Sequence, residues 1–356
     1  MRILSRYVLR EFGVYLAPSV VGFVAIFLVV DLAGRLSSFI DRGLTPGTIA
    51  LYYLYYIPYI SVLVLPMAML LACLFCMGGL ARHQELTAMK AAGASLYRIV
   101  LPIQVLALVI SACAFLVADR LMPEGNRRRS ALDSGEMYEQ LPEIIRQVVL
   151  PEEGDRIVYV AAYFPRERRG EGVTLDQYEG LQPVSRILAE EIVWRQEGWD
   201  FLRGSVRYFG DADLEHVSAF ESMRLDDFSF GPGDLAGASR PEEQMTGAEL
   251  RAFIARKIRT GRDADRETVE LHLRMAFPFA SFVIVLLGVP ISGGTRSAGK
   301  PLLVGMCLLL SFVYYGSIQA GRAFGWNGLL PPFFGAWGAN LIFLAVGVVL
   351  LFRTRK

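Results

Sequence analysis

The sequence predicts an α-helical membrane protein of six spans, three before and three after an inserted all-β domain. Three observations predict it. Six long stretches carry no Asp, Glu, Lys or Arg; they fall into two sets of three; and the block between the sets, Asp119 to Arg274, holds most of the charge. Of the 356 residues, 53% are hydrophobic and 20% charged, short of the roughly one quarter that soluble domains carry. The net charge of +1 conceals an asymmetry. The central block has 22 Lys/Arg against 31 Asp/Glu, a charge of −9, and the remainder has 14 against 4, a charge of +10. No charged tail points to a nucleic-acid partner.

The uncharged runs are Phe12–Val30, Gly43–Ala81, Ile99–Ala118, Met275–Thr295, Pro301–Gly321 and Ala323–Phe352. About 20 residues at ~1.5 Å rise cross a hydrocarbon core of ~30 Å. The first run follows Arg2, Arg6 and Arg10, as in a signal peptide. At 19 residues with no small-x-small site closing it, it reads as a retained span. The second run, 39 residues long, reads as one span from Pro58 to Leu80. Its start is interfacial, with Tyr52, Tyr53, Tyr55 and Tyr56 as an aromatic belt. Mid-run, Pro66 alone offers no return turn.

Lys/Arg asymmetry sets orientation. With the N-terminus inside, Arg2, Arg6, Arg10, Arg82, Lys90, Arg98, Arg296, Lys300, Arg353, Arg355 and Lys356 are cytoplasmic, and the opposite short loops carry only Arg35, Arg42 and Arg322. Both termini are then cytoplasmic and residues 119–274 lie outside. The four cysteines, Cys73, Cys76, Cys113 and Cys307, lie in apolar runs and read as small buried residues.

The outer block reads as β over VVLPEEGDRIVYVAAYF, RILAEEIVWRQEGWDFLRGSVRYF and HVSAFESMRLDDFSFG, with a hairpin signal at Gln196-Glu197-Gly198. Short strands at this spacing suggest a sandwich or barrel. Beyond Pro241 the spacing turns helical, and Thr246 with Glu249 forms a capping signature ahead of a helix returning to the fourth span. The domain boundaries follow: 1–118, with a loop helix at about 82–98; 119–245, the β domain; 246–274, the helical return; 275–356, the last three spans.

Neither His216 nor His272 has partners at metal-ligand spacing, and no metal site is expected. The stretch Gly294 to Lys300, GTRSAGK, fits a phosphate-loop pattern. A span precedes it and Pro301 stands where Ser or Thr would hold magnesium, so it reads as a positive-inside turn. No cofactor or catalytic cluster is expected. Spans free of charge at their centres argue against an ion-coupled transporter.

Two features bear on function. The loop Arg82–Arg98 carries helix formers from Glu85 to Ala92, Gly93 as a stop and Ser95 as the next cap. It fits either an interfacial connector or a short helix that docks in a partner's groove. At the outer surface, Arg35 follows Asp31 by four residues, and Arg127, Arg128 and Arg129 follow the third span. They fit phosphate binding through the guanidinium fork, headgroup contact, or a local Asp31–Arg35 pair.

The chain resembles the LptF/LptG permeases of the lipopolysaccharide-export ABC transporter over nearly its whole length. The resemblance is carried by IPYISVLVLPMAMLLACLFCMGGLARHQELTAMKAAGAS, with its paired prolines, Glu-Leu and Gly-x-Ser end, and by ELRAFIARKIRTGRDADRETVELHLRMAFPFASFVIVLLGVPIS. The DLAGRLSSFIDRG segment leans toward the LptG branch. The resemblance implies a non-catalytic subunit of the Gram-negative inner membrane whose inserted domain is a periplasmic β-jellyroll. It implies a paralogous permease half, an LptB ATPase dimer that binds the ATP, the jellyroll proteins LptC and LptA, and lipopolysaccharide as cargo. Glu85, Leu86, Met89, Lys90, Gly93 and Ser95 would form the ATPase-coupling helix. Arg35, and more loosely Arg128 or Arg129, would contact lipid phosphates. The rival readings are an ABC-type mechanotransmission protein that acts on periplasmic partners without carrying lipid, and a membrane scaffold.

Overall fold

The computed structural model describes residues 2–133, 144–152, 155–179, 182–195, 198–209, 216–225, 230–237, 242–259, 263–293 and 299–353. Its contacts divide the chain into a helical unit, Met1–Gly135 with Thr246–Leu250 and Asp265–Lys356, and a second unit, Glu136–Met245 with Arg251–Ala264.

In the helical unit, α1 (Arg2–Asp41), α2 (Pro46–Arg82), α3 (Glu85–Ala91) and α4 (Leu96–Leu116) come first. A π turn, Val117–Leu121, joins α4 to α5 (Met122–Asp133), and α8 (Asp265–Gly293), α9 (Lys300–Trp326) and α10 (Pro332–Arg353) complete it. Six of these segments are long and apolar enough to cross a membrane. The helices outrun the apolar runs. α1 continues through Asp31 and Arg35 to Asp41, and the third span continues as helix to Asp133, where the sequence suggests that the β domain has already begun. α2 is one unbroken helix. Pro46 opens it, where a missing N–H costs nothing, and the Thr45 hydroxyl accepts from the Thr48 amide at 3.3 Å. Pro58 and Pro66 lie inside it.

α2 and α8 are the buried helices of the unit; Met69, Leu70, Cys73 and Leu74 pack among Val283, Ile284 and Val285. In lipid, apolar burial alone does not hold helices together; close approach and buried polar pairs do. Both are present. A Cβ on Gly321 would lie 2.5 Å from the Gly335 carbonyl oxygen, so α9 and α10 touch backbone to backbone. The buried Tyr314 hydroxyl donates to Asn340 Oδ1, and Asn340 Nδ2 donates to the Ala276 carbonyl at 2.7 Å, which ties α9, α10 and α8. Three cysteines are buried as expected; Cys113 is exposed, because it lies on the outward face of α4.

The second unit is β. Strands β1 (Ile145–Glu152), β2 (Arg156–Phe164), β3 (Arg169–Glu179), β4 (Gln182–Arg195), β5 (Gly198–Tyr208) and β6 (His216–Leu225) form one antiparallel sheet in chain order. Arg195 pairs with Gly198, as the hairpin signal requires, although Gln196 and Glu197 lie outside the described residues. α6 (Pro232–Gly237) follows, then a 3-10 turn, Glu242–Gln244; α7 (Gly247–Arg259) is divided, its residues to Leu250 counting with the helical unit and the rest with this one.

A meander in a single sheet would leave one face bare. Every ladder lacks one pair along a line through Gln147, Ala161, Gly172, Glu190, Arg203 and Glu221, and the β3–β4 ladder shifts register once more at Gln177/Tyr178. Gly172 and Arg203 have positive φ there, +64° and +49°. Across this line the buried positions change phase: Val158 and Val160 give way to Tyr163 on β2, and Ala189 to Ile192 on β4. Slipping the alternation of a strand this way turns its side chains over, and doing so in every strand creases the sheet. Residues from both sides of the crease then share one core, with Val158, Val173 and Leu175 from one side and Tyr163, Ile192, Trp199 and Phe201 from the other. Phe230 and Leu235 close it; Trp199 Nε1 donates to the Phe230 carbonyl at 3.0 Å. The sequence-predicted all-β domain is thus a creased six-strand meander among the described residues.

Candidate coupling loop and arginine cluster

α3 is placed by its two joints. Gln84 takes a left-handed conformation, φ 60°, between α2 and α3. Gly93, φ +85°, ends the helix, and its amide donates to the Lys90 carbonyl at 2.9 Å. Ser95 stands at the N-cap of α4 as predicted, but its hydroxyl makes no cap bond; its carbonyl accepts from the Arg98 and Ile99 amides instead. Leu86 is buried, and Met89 packs on the same core, which contains Val8, Phe12 and Leu96. Lys90 lies in the last turn, where its charge suits the helix dipole. Glu85 opens α3, and its Oε2 accepts from the Tyr7 hydroxyl at 2.7 Å. Tyr7 has no place in a sequence reading, since 78 residues separate it from Glu85.

The arginines gather around the tyrosines of α2. Arg35 pairs with Asp31 at 3.3 Å, and the Tyr53 hydroxyl donates to the other Asp31 oxygen at 3.0 Å. Local pairing, one of the readings open from sequence, is therefore what the structure shows. Arg128 donates to Glu124 at 2.8 Å and to the Tyr55 hydroxyl at 3.3 Å. The Arg129 guanidinium lies 4.2 Å from the centre of the Tyr56 ring and 5.7 Å from that of Tyr52. α5 approaches closely enough for this because Gly125 has no side chain; a Cβ there would meet the Tyr55 carbonyl oxygen at 2.7 Å. The cluster thus combines cations with an aromatic floor, shared by Phe39, Tyr52 and Tyr56. Guanidinium groups can hold phosphate through their planar fork.

Two further features bear on the design. Thr246 and Glu249 form the reciprocal cap predicted for α7: Thr246 N donates to Glu249 Oε2 at 2.7 Å, and Glu249 N to Thr246 Oγ1 at 3.3 Å. Arg127 reaches the same carboxylate at 2.6 Å, and the Gly247 amide donates to Asp119 Oδ1, in the π turn, at 3.1 Å. In the β unit, an open groove of about 720 Å³ runs along the crease, lined by Leu188, Ala189, Phe220, Glu190, Arg203 and Glu221. Its rim is paired, Arg203 with Glu190 at 2.7 Å. Gly294 to Ala298, most of the GTRSAGK stretch, lie outside the described residues.

The family model for the lipopolysaccharide export system permease LptF/LptG matches residues 6–353, across both units. The chain belongs to this family. Similar proteins come from both branches. The LptF permease of Escherichia coli (strain K12) is 24% identical over 98% of this chain and 94% of its own length, as is that of Shigella flexneri. The LptG permease of Escherichia coli (strain K12) is 21% identical over 93% of this chain and 94% of its own length. These similarities do not single out the LptG branch toward which DLAGRLSSFIDRG leans. Membership makes the chain a lipopolysaccharide-export permease subunit, with six apolar helices and an inserted β domain.

Proposed function

We propose that this LptF/LptG-family permease forms one half of the membrane part of an ABC exporter in the Gram-negative inner membrane. Its partners are the paralogous half, a dimer of the separate ATPase LptB, which binds the ATP, and the jellyroll proteins LptC and LptA. Both termini and α3 face the cytoplasm, and residues 119–274 face the periplasm, as the Lys/Arg asymmetry favours. The observation that carries the reading is the family match through 6–353, a range that includes the α3 loop, the arginine cluster and the β unit.

The parts divide the work. ATP-driven closure of the ATPase pushes α3 through Glu85, Leu86, Met89 and Lys90, with the turns at Gly93 and Ser95 passing the push to α4. Arg35, Arg128 and Arg129 hold lipid phosphates while the tyrosine floor and the outer faces of the spans take acyl chains. The released lipid passes to the creased sheet, whose groove has apolar walls and a charged rim.

The test is purification of the tagged chain from its own membrane. The expected result is stoichiometric copurification of an ATPase and of lipopolysaccharide, with the ATPase lost or uncoupled in Glu85→Arg. An associated ATPase without lipopolysaccharide would favour the mechanotransmission reading. Full lipid-stimulated hydrolysis and export by Glu85→Arg would remove α3 from the coupling role.

A further inference from the structure

We propose that Tyr7 positions Glu85, so that force delivered to α3 enters α1 directly and not only α2 and α4. This rests on α3 being the coupling helix.

The covalent joints of α3 lead elsewhere. His83 and Gln84 connect it to α2, and Ala92 to Ser95 connect it to α4. α1 has no such joint, yet its N-terminal end is tied to α3 by a hydrogen bond and shares an apolar core with it. The Tyr7 hydroxyl donates to the Glu85 carboxylate at 2.7 Å, within the range for a charge-assisted bond. Beside that bond, Leu4, Val8 and Phe12 of α1 share a core with Leu86 and Met89 of α3. The polar tie fixes direction and the apolar contact fixes spacing.

The bond has a consequence for Glu85 itself. A free glutamate side chain samples several rotamers, and ordering it costs free energy. Tyr7 holds Oε2, which leaves Oε1 to meet a cation of the driving subunit from a set direction. The hydroxyl serves no packing purpose, because Tyr7 is 40% exposed and a phenylalanine ring would occupy the same place.

The bond also has a consequence for α1. This helix runs from Arg2 to Asp41 with Pro18 inside it. The 28-residue separation of Tyr7 and Arg35 spans about 42 Å at the α-helical rise. A displacement at Glu85 is therefore conveyed along one helix to the Asp31–Arg35–Tyr53 group near its other end.

The experiment uses the assembled exporter in lipopolysaccharide-containing proteoliposomes, with Tyr7→Phe, Glu85→Gln and the double variant. Lipid exported per ATP hydrolysed, complex assembly and melting temperature are measured. Tyr7→Phe is expected to lower export per ATP about threefold to tenfold, the range for loss of one ordinary intramolecular hydrogen bond, with assembly and melting temperature unchanged. The double variant should be no worse than Glu85→Gln alone. If Tyr7→Phe exports normally per ATP, adds its full effect to that of Glu85→Gln, or acts through lost assembly or a lowered melting temperature, Tyr7 does not position Glu85. If Glu85→Gln itself leaves export per ATP unchanged, the coupling role of α3 falls, and this proposal with it.

Discussion

Glu249 joins three partners to one carboxylate. The Thr246 amide, opposed in part by burial, and then the Thr246 hydroxyl and the Arg127 guanidinium hold its pKa below the ordinary glutamate value. A depressed folded-state pKa adds stability above the unfolded pKa, about 4.3, and that stability is lost as pH falls through the lower folded value. The side chain is 44% exposed, so solvent reduces the effect to about 1 kcal/mol or less. Glu249→Gln should weaken hydrogen-exchange protection of the first turn of α7 at pH 7, and the difference from the native chain should vanish in acid. Protection unaffected at pH 7 would show that the charge is idle. This cap was legible in the sequence because Thr246 and Glu249 are three residues apart. Its third partner, Arg127, is 122 residues away and was not. The same holds for Tyr7 and Glu85, and for Asp31, whose local partner Arg35 could be named while Tyr53 could only be placed in an aromatic belt.

Among the helices, hydropathy located all six spans, because each must be apolar along its own length. It missed their ends. α1 and the α4–α5 helix run past the apolar segment, since helix continues wherever backbone bonds and neighbours permit. Nor does hydropathy reveal how helices meet. The α9–α10 crossing depends on Gly321 and Gly335, whereas Gly338, three residues on, faces open space. Gly335→Leu should therefore force the helices apart at a cost of about 1–3 kcal/mol. In detergent its melting temperature should fall by several degrees, with Gly338→Leu close to the native value. Equal effects would show that the crossing is not tight. The strands behave likewise. Alternation and the Gln196-Glu197-Gly198 turn signal pointed to β4 and β5, but the crease at Gly172 and Arg203 arises only when adjacent strands each leave one residue unpaired along the same line, with the register unchanged on either side.

At the scale of the whole molecule, the proposed scheme gives the two units separate duties: the helical unit takes up lipid and the β unit receives it. Uptake at the arginine cluster needs no energy in this scheme, whereas arrival in the groove does. A photocrosslinker at Tyr53 should thus label lipopolysaccharide without ATP, and one at Leu188 only during hydrolysis. Arg35→Glu should diminish both signals while leaving the complex assembled. Labelling at Leu188 without ATP, or unchanged labelling in Arg35→Glu, would contradict that order. The three-plus-three spans, the β domain between them and the family were all readable from the chain, because hydropathy, strand alternation and motifs reside in neighbouring residues. Which tyrosine holds Glu85, how the arginines come to share one aromatic floor, and where the sheet creases were decided only on folding. Each depends on groups from distant parts of the chain meeting within hydrogen-bond or van der Waals range.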